Sequence, residues 1–263
     1  ISVSAFLLNR SSDLLVCIHY DNRLRIKEII RGACCDCAGA FVRSEMPKEA
    51  SLSAASSRLA ITFCGILCEN PFFLASSAVC TNYEMVAHAF EAGWAGVFYK
   101  TVCMQEIREV SPRFDAIKEG TSFAGFRNME QLSEHPSKED FDIMRRLKQN
   151  FPGKVVIASI MGQTGDEWIE LAKMAEEAGC DAVELNFSCP QMRLTGMGSD
   201  VGQDTELVLF YTEYVKRNVS IPVIPKMTPN ITRIERPAMA AFLAGADAVS
   251  AIHTIKRVTM NSR

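Results

Sequence analysis

Two textures of hydrophobic patterning divide the chain. From Leu59 onward, short apolar runs alternate with amphipathic stretches, whereas residues 1–57 keep no such rhythm. Leu59-Ala-Ile-Thr-Phe63 and Ile66-Leu-Cys-Glu69, separated by Cys64-Gly65, predict a β-hairpin. Phe72 to Ser76 and Ala95 to Tyr99 predict strands, and between them Asn82 caps a helix that runs to Glu91 and stops at Gly93. After a long loop come a helix over Lys138 to Asn150, a strand over Val155 to Ile160 and a helix over Asp166 to Ala178. The last of these has Thr164 and Glu167 at capping-box spacing, a core stripe of Trp168, Leu171, Ala172 and Ala175, and Gly179 as terminator. The pattern continues with a strand over Ala182 to Leu185, a loop with Gly196, Gly198 and Gly202, and a helix over Glu206 to Arg217. A strand over Pro222 to Lys226, a helix over Ile234 to Ala244 stopped by Gly245, and a strand over Ala248 to Ile252 complete it.

Parallel strands joined by helices of this length form right-handed βαβ units, so the fold class is α/β of the (β/α)8 TIM-barrel type. About six strands are present where a closed barrel needs eight, so the barrel is expected to be incomplete, with the hairpin preceding it. Its last strand, Ala248 to Ile252, is then expected to leave backbone groups unpaired at an open edge. The domain reading is an N-terminal segment, residues 1–57, expected to pack poorly, followed by a partial barrel over residues 58–263. Within the first segment, Arg23 to Arg31 could form a basic amphipathic helix, and Glu49 to Ser57 reads as a linker.

Composition narrows the function classes. At 263 residues and 48% hydrophobic content the chain can bury a substantial core. A net charge of −3 with scattered basic residues gives no nucleic-acid footprint and no polybasic membrane patch, which leaves small molecules as the default partners. The apolar runs are too short to span a bilayer. Ten cysteines without framework spacing suit a reducing cytoplasm. Cys34-Cys35-Asp36-Cys37 holds a Cys-x-x-Cys pair, but Cys17 and His19 match no standard ligand pattern around it, so no metal site is expected. The chain opens on Ile1 without a basic signal-peptide start or an initiator Met, which suggests a fragment.

The chemistry gathers at the carboxyl ends of the predicted strands, where loops vary without disturbing a barrel's core. Ser76 and Ser77 follow the first strand, Lys100 and Thr101 the second, and Asn186, Ser188 and Cys189 the fourth. Lys226, Thr228 and Asn230 follow the fifth, and His253 and Thr254 the sixth. Asn186-Phe-Ser-Cys-Pro190 by itself favours an ordinary turn with an incidental thiol; its setting among the other strand ends reverses that reading. Lys100 and Lys226 each terminate an apolar run and therefore project into the mouth. Two cations converging on an apolar mouth with Asn and Thr donors suit a planar, electron-accepting, phosphate-bearing cofactor, for which FMN is the natural candidate.

Residues 59 to about 258 resemble the FMN domain of dihydropyrimidine dehydrogenases, within the dihydroorotate dehydrogenase superfamily. The resemblance rests on Asn70-Pro-Phe, Glu91-Ala-Gly-Trp94, Tyr99-Lys-Thr101, Val110-Ser-Pro-Arg-Phe114, Phe126-Arg-Asn-Met-Glu130 and Ile157-Ala-Ser-Ile-Met161. It rests equally on Asn186-Phe-Ser-Cys-Pro190, Gly196-Met-Gly-Ser-Asp-Val-Gly-Gln203 and Lys226-Met-Thr-Pro-Asn230. It implies that Cys189 is the general acid that protonates C5 of a pyrimidine while reduced flavin delivers hydride to C6. It also implies that Lys100 and Lys226 contact FMN with Ser76 and Thr101 nearby, and that Asn128, Glu130, Asn186 and Thr254 hold the pyrimidine edge. The residues alone leave Asn128 and Glu130 open as loop caps and Asn186 as a turn brace.

The match is best to a bacterial subunit that works with a separate NAD-binding flavoprotein subunit, which makes such a subunit the expected partner. His253-Thr254 stands where the family has Asn-Thr. By the same resemblance, the flavin phosphate is held after strands seven and eight, so the chain as given is expected to bind FMN weakly or not at all. Reduction of uracil or thymine is the leading expectation. Dihydroorotate oxidation is the neighbouring enzyme reading, disfavoured by Phe126-Arg-Asn-Met-Glu130, and an inactive barrel serving as a binding module is the non-enzymatic one.

Overall fold

Each apolar run from Phe72 onward is a strand of one sheet in the computed structural model, which describes residues 2–8, 14–19, 59–108, 114–119, 121–192 and 195–256. In chain order the strands are β1 (Ser2–Leu8), β2 (Leu14–His19), β3 (Ile61–Phe63), β4 (Ile66–Cys68), β5 (Phe73–Leu74) and β6 (Gly96–Phe98). They continue with β7 (Phe114–Glu119), β8 (Ser122–Asn128), β9 (Val155–Ile160), β10 (Ala182–Asn186), β11 (Val223–Met227) and β12 (Val249–Ala251). The helices are α1 (Tyr83–Glu91), α2 (Ser137–Asn150), α3 (Gly165–Glu177), α4 (Ser199–Gln203), α5 (Thr205–Lys216) and α6 (Glu235–Leu243). Strands β5, β6, β9, β10, β11 and β12 pair in parallel, each with the next, which is the curled arc of six strands of a (β/α) barrel.

Period-2 alternation then decides what each face of the arc carries. Leu74, Val97, Tyr99, Val156, Ala158, Ile160, Val183, Leu185, Val223 and Val249 point outward into a core shared with the helices. The opposite parity places Phe73, Phe98, Val155, Ile157, Ala182, Ile224 and Ala248 in a second, inner cluster. The hairpin β3–β4 closes the amino-terminal end of this interior. Phe63 lies 6.2 Å from Phe73, which lies 6.1 Å from Phe98, both edge to face. Each aromatic fills space that a shorter side chain would leave as a cavity.

Two αβ junctions repeat one device. Asp181, just before β10, accepts the Val156 N–H at 2.8 Å and the Lys148 ammonium at 2.7 Å. Asp247, just before β12, accepts the Val223 N–H at 2.7 Å and the Lys216 ammonium at 2.6 Å. In each case one carboxylate satisfies an N–H at the start of the neighbouring strand and ties down the last turn of a packed helix. The sequence pairs Gly179-Cys-Asp181 with Gly245-Ala-Asp247 at these points, so the device is written in the repeat itself.

Three differences from the sequence reading stand out. The long loop after β6 contains a hairpin, β7–β8, paired antiparallel from Phe114↔Asn128 to Glu119↔Ser122. The capping box of α3 is half formed: Thr164 accepts the Glu167 N–H at 3.3 Å, but the Glu167 carboxylate takes the Gln163 N–H at 2.7 Å, one residue earlier than the motif requires. The edge of β12, expected to be open, is paired antiparallel with β2 through Val249↔Ile18, Ser250↔Cys17 and Ala251↔Val16. An edge strand's free N–H and C=O groups are a template for any extended segment, and Leu14 to His19 is an apolar run that can supply one. The helix expected over Arg23 to Arg31, the cysteines at 34 to 37, the linker at 49 to 57 and the side-chain packing of residues 1–57 lie outside the described residues.

Candidate active site

Towards the carboxyl ends of the strands the inner face changes character. The parity that carries Val155 and Ile157 reaches Ser159; Ala182 leads to Glu184 and Asn186, Ile224 to Lys226, Ala248 to Ser250, and Phe98 to Lys100. All of these polar side chains are buried. An apolar lower layer under a polar upper layer is a floor with a mouth above it.

The floor is a continuous hydrogen-bonded row. The Ser159 hydroxyl donates to Glu184 Oε1 and the Ser250 hydroxyl to Glu184 Oε2, both at 2.8 Å. Ser159 Oγ lies 2.9 Å from Thr101 Oγ1, which lies 3.1 Å from Ser76 Oγ and accepts the Asn186 amide N–H at 2.9 Å. Ser76, Thr101 and Asn186, three of the expected site residues, are thus bonded to one another. Glu184, Ser159 and Ser250 were not anticipated. The available signal was a carboxylate inside an otherwise apolar strand, a residue type almost never fully buried without partners.

Asn186 braces the loop that carries Cys189. Its Oδ1 accepts the Ser188 hydroxyl at 2.7 Å, the Ser188 N–H at 3.1 Å and the Cys189 N–H at 3.2 Å. The thiol is buried and donates to Gln191 Oε1 at 3.8 Å, while Gln191 Nε2 donates to the Asn128 carbonyl at 2.8 Å. Gln191, also unanticipated, therefore links the cysteine loop to the end of β8. The glycine-rich loop presses against the same turn: the Ser199 N–H donates to the Cys189 carbonyl at 2.9 Å, and a Cβ on Gly202 would lie 2.0 Å from the Phe187 carbonyl oxygen. Gly198 adopts φ +56°, a left-handed conformation open to glycine.

The substrate-side candidates converge as well. The Asn128 amide donates to Thr254 Oγ1 at 3.4 Å and its Oδ1 accepts the Glu130 N–H at 2.8 Å. Asn230 donates to the Thr254 carbonyl at 3.1 Å. Glu130 ion-pairs with Lys100 at 2.5 Å, both side chains buried. The expected site residues thus lie at the mouth, all but Lys226 in two bonded groups joined through Cys189 and Gln191.

The two lysines differ in electrostatic state. Lys100 has its carboxylate, but the Lys226 ammonium, 2% exposed, has no ion-pair partner among the described residues. His253 sits in their field: burial first, then the charges of Lys226 and Lys100, push its pKa well below the usual imidazole value, so it is neutral. Behind the mouth, buried Asp140 accepts from Tyr99 Oη and lies 3.2 Å from His135 Nδ1. Burial raises its pKa from 3.8 to about 6, against hydrogen bonds from Ser133, His135 and Tyr99 and the charge of His135. The neighbouring Ser133 N–H donates to the Thr101 carbonyl at 2.8 Å, which fixes the segment after Glu130 to the end of β6.

A family profile described as dihydroorotate dehydrogenase matches residues 58–263. The chain belongs to the dihydroorotate dehydrogenase family. Within it, the chain is 52% identical over 202 residues to the NAD-dependent dihydropyrimidine dehydrogenase subunit PreA of Escherichia coli, covering 76% of this chain and 49% of that protein. It is 36% identical over 218 residues to a chloroplastic dihydropyrimidine dehydrogenase (NADP(+)) of Arabidopsis thaliana, covering 78% of this chain and 51% of that one. To the catalytic subunit of dihydroorotate dehydrogenase B (NAD(+)) of Pyrococcus abyssi it is 36% identical over 206 residues, covering 77% and 64%. The chain thus spans about half the length of the dihydropyrimidine dehydrogenases it matches. Dehydrogenases of the dihydroorotate dehydrogenase family are flavoenzymes in general. Among the described residues no helix is long and apolar enough to cross a membrane.

Proposed function

We propose that this chain is the FMN- and pyrimidine-binding barrel of a dihydropyrimidine dehydrogenase, which reduces the C5=C6 bond of uracil or thymine, or runs the reverse reaction. The observation that carries the reading is Lys226: a buried ammonium at a barrel mouth, unpaired among the described residues, beside a neutral histidine. Burying a cation without a partner costs several kcal/mol, a cost that an electron-rich ligand offsets. FMN fits that donor set: Lys226 and Lys100 would hold it, with Ser76 and Thr101 as further donors and Asn186 left to the pyrimidine edge. Bound there, it would supply the hydride that goes to C6.

The chain's own residues do the rest. Cys189 carries the proton destined for C5, and its thiol lies against Gln191 Oε1 at 3.8 Å. Asn128, Glu130 and Thr254 meet the carbonyl and N–H edge of the pyrimidine with paired donors and acceptors. After proton transfer the thiolate is reprotonated from solvent. In this reading the electrons come from a partner NAD(P)H-oxidising flavoprotein subunit through iron–sulfur clusters.

The test is a flavin titration of the purified chain followed by fluorescence quenching, together with the same titration of Lys226→Met. Saturable binding that weakens in the variant supports the reading. If the phosphate donors lie on further strands, binding is weak and is lost on ultrafiltration. Equal binding by the variant, or no saturable binding by a chain extended through the further strands, overturns the reading.

A further inference from the structure

Glu184 and Lys226 are inward-facing residues of adjacent strands. In the register of β10 and β11, Asn186 lies opposite Lys226, so Glu184 is the diagonal neighbour of the lysine, a separation that long side chains bridge. Glu184 also hydrogen-bonds Ser250 on β12, which means that its carboxylate crosses the inner face of β11, the strand that bears Lys226. A buried carboxylate beside a buried ammonium ordinarily forms an ion pair. Here no such pair forms: each carboxylate oxygen instead takes one serine hydroxyl at 2.8 Å, Ser159 on one side and Ser250 on the other.

We propose that Ser159 and Ser250 form a hydroxyl clamp that withholds Glu184 from Lys226, so that the buried ammonium stays available to an anionic or electron-rich ligand. The inference rests on the reading that Lys226 faces the flavin. Two hydroxyl donors satisfy Glu184 without neutralising it, and they fix its direction. The clamp is stiffened from outside, because Ser159 also bonds Thr101, which bonds Ser76 and Asn186. Glu184, Ser159 and Ser250 are thus positioning residues, which act through Lys226 by deciding which charge it meets. Carboxylate and ammonium share one desolvated interior, and the hydroxyls keep them apart.

The clamp can be opened. In the double variant Ser159→Ala, Ser250→Ala the freed carboxylate turns to Lys226. Proton exchange of the Lys226 ammonium with water, followed by NMR of 15N-lysine-labelled protein and assigned by its loss in Lys226→Met, should slow by about tenfold. The FMN dissociation constant should rise by about tenfold as the ligand competes with an internal counter-ion. Adding Glu184→Gln to the double variant should restore both values, an outcome that general disruption of the floor would not give. Should the double variant fail to fold, Ser250→Ala alone frees the oxygen on the β12 side and should show part of each effect. An unchanged Lys226 signal with unchanged FMN affinity overturns the clamp, as does failure of Glu184→Gln to restore them. A slowed Lys226 signal in a chain that binds no FMN upholds the clamp and removes the flavin reading instead.

Discussion

Replacing Lys226 by methionine should make the ligand-free protein more stable and the flavin site worse. Methionine keeps most of the apolar stem, so the packing against β10 and β12 survives; what goes is a charge that is 2% exposed and has no ion-pair partner among the described residues. An ion buried without a partner costs several kcal/mol, so its removal should stabilise the fold by up to about that much, less whatever attraction the Glu184 carboxylate one diagonal away already supplies. At this chain length each kcal/mol raises the melting temperature by about 2–4 °C. A hydrogen bond from a charged donor is worth about 1.5–3 kcal/mol, so FMN affinity should fall by about tenfold to a hundredfold. The flavin midpoint potential should fall too, because the reduced ring loses its counter-charge. Urea unfolding of both proteins, with the slopes checked for equality, gives the stability difference; titration and redox potentiometry give the other two. A variant less stable than its parent at equal slope would mean that the protein already compensates the ammonium. An unchanged potential would place Lys226 away from the ring.

Other outcomes follow from the same geometry. Cys189→Ala, in a version competent for turnover, should lose about a hundred- to ten-thousand-fold in rate while keeping its flavin, and Cys189→Ser should retain weak activity; near-normal turnover by the alanine variant would make the thiol structural. Asp140 titrates at about 6 in the fold against 3.8 ordinarily, so its protonated form contributes stability in full below pH 3.8, and that contribution is lost as pH rises through about 6. The loss amounts to about 3 kcal/mol, and Asp140→Asn should abolish that part of the pH dependence in chemical denaturation; a variant profile parallel to the parent's would refute the assignment. Gly202→Ala, whose Cβ would meet the Phe187 carbonyl at 2.0 Å, should cost about 2 kcal/mol or more and loosen the Cys189 turn. Faster alkylation of Cys189 by iodoacetamide would report that loosening, and an unaltered rate with unaltered stability would count against it.

Much of this was legible along the chain because it is local. The βα rhythm after Leu59, the Asn82 cap, the Trp168, Leu171, Ala172 and Ala175 stripe and the glycine stops depend on neighbours three or four residues away, and each stands where its spacing puts it. Lys100 and Lys226 could be placed at the mouth for the same reason: a strand's end is where its run ends. What tertiary structure alone decided is which partners meet. Asn186 is a turn residue by spacing, but the direction of its amide towards Thr101 depends on a strand 85 positions away. Glu184 looked like an irregularity in an apolar run until serines from β9 and β12 were placed on either side of it. The β7–β8 hairpin escaped because much of it lacks the apolar alternation that marks a buried strand, and the pairing of β12 with β2 joins segments more than two hundred residues apart. Hydrophobic period fixes which face a residue takes; only the closing of the sheet decides which charge it finds there, because burial removes the water that would otherwise answer every polar group alike.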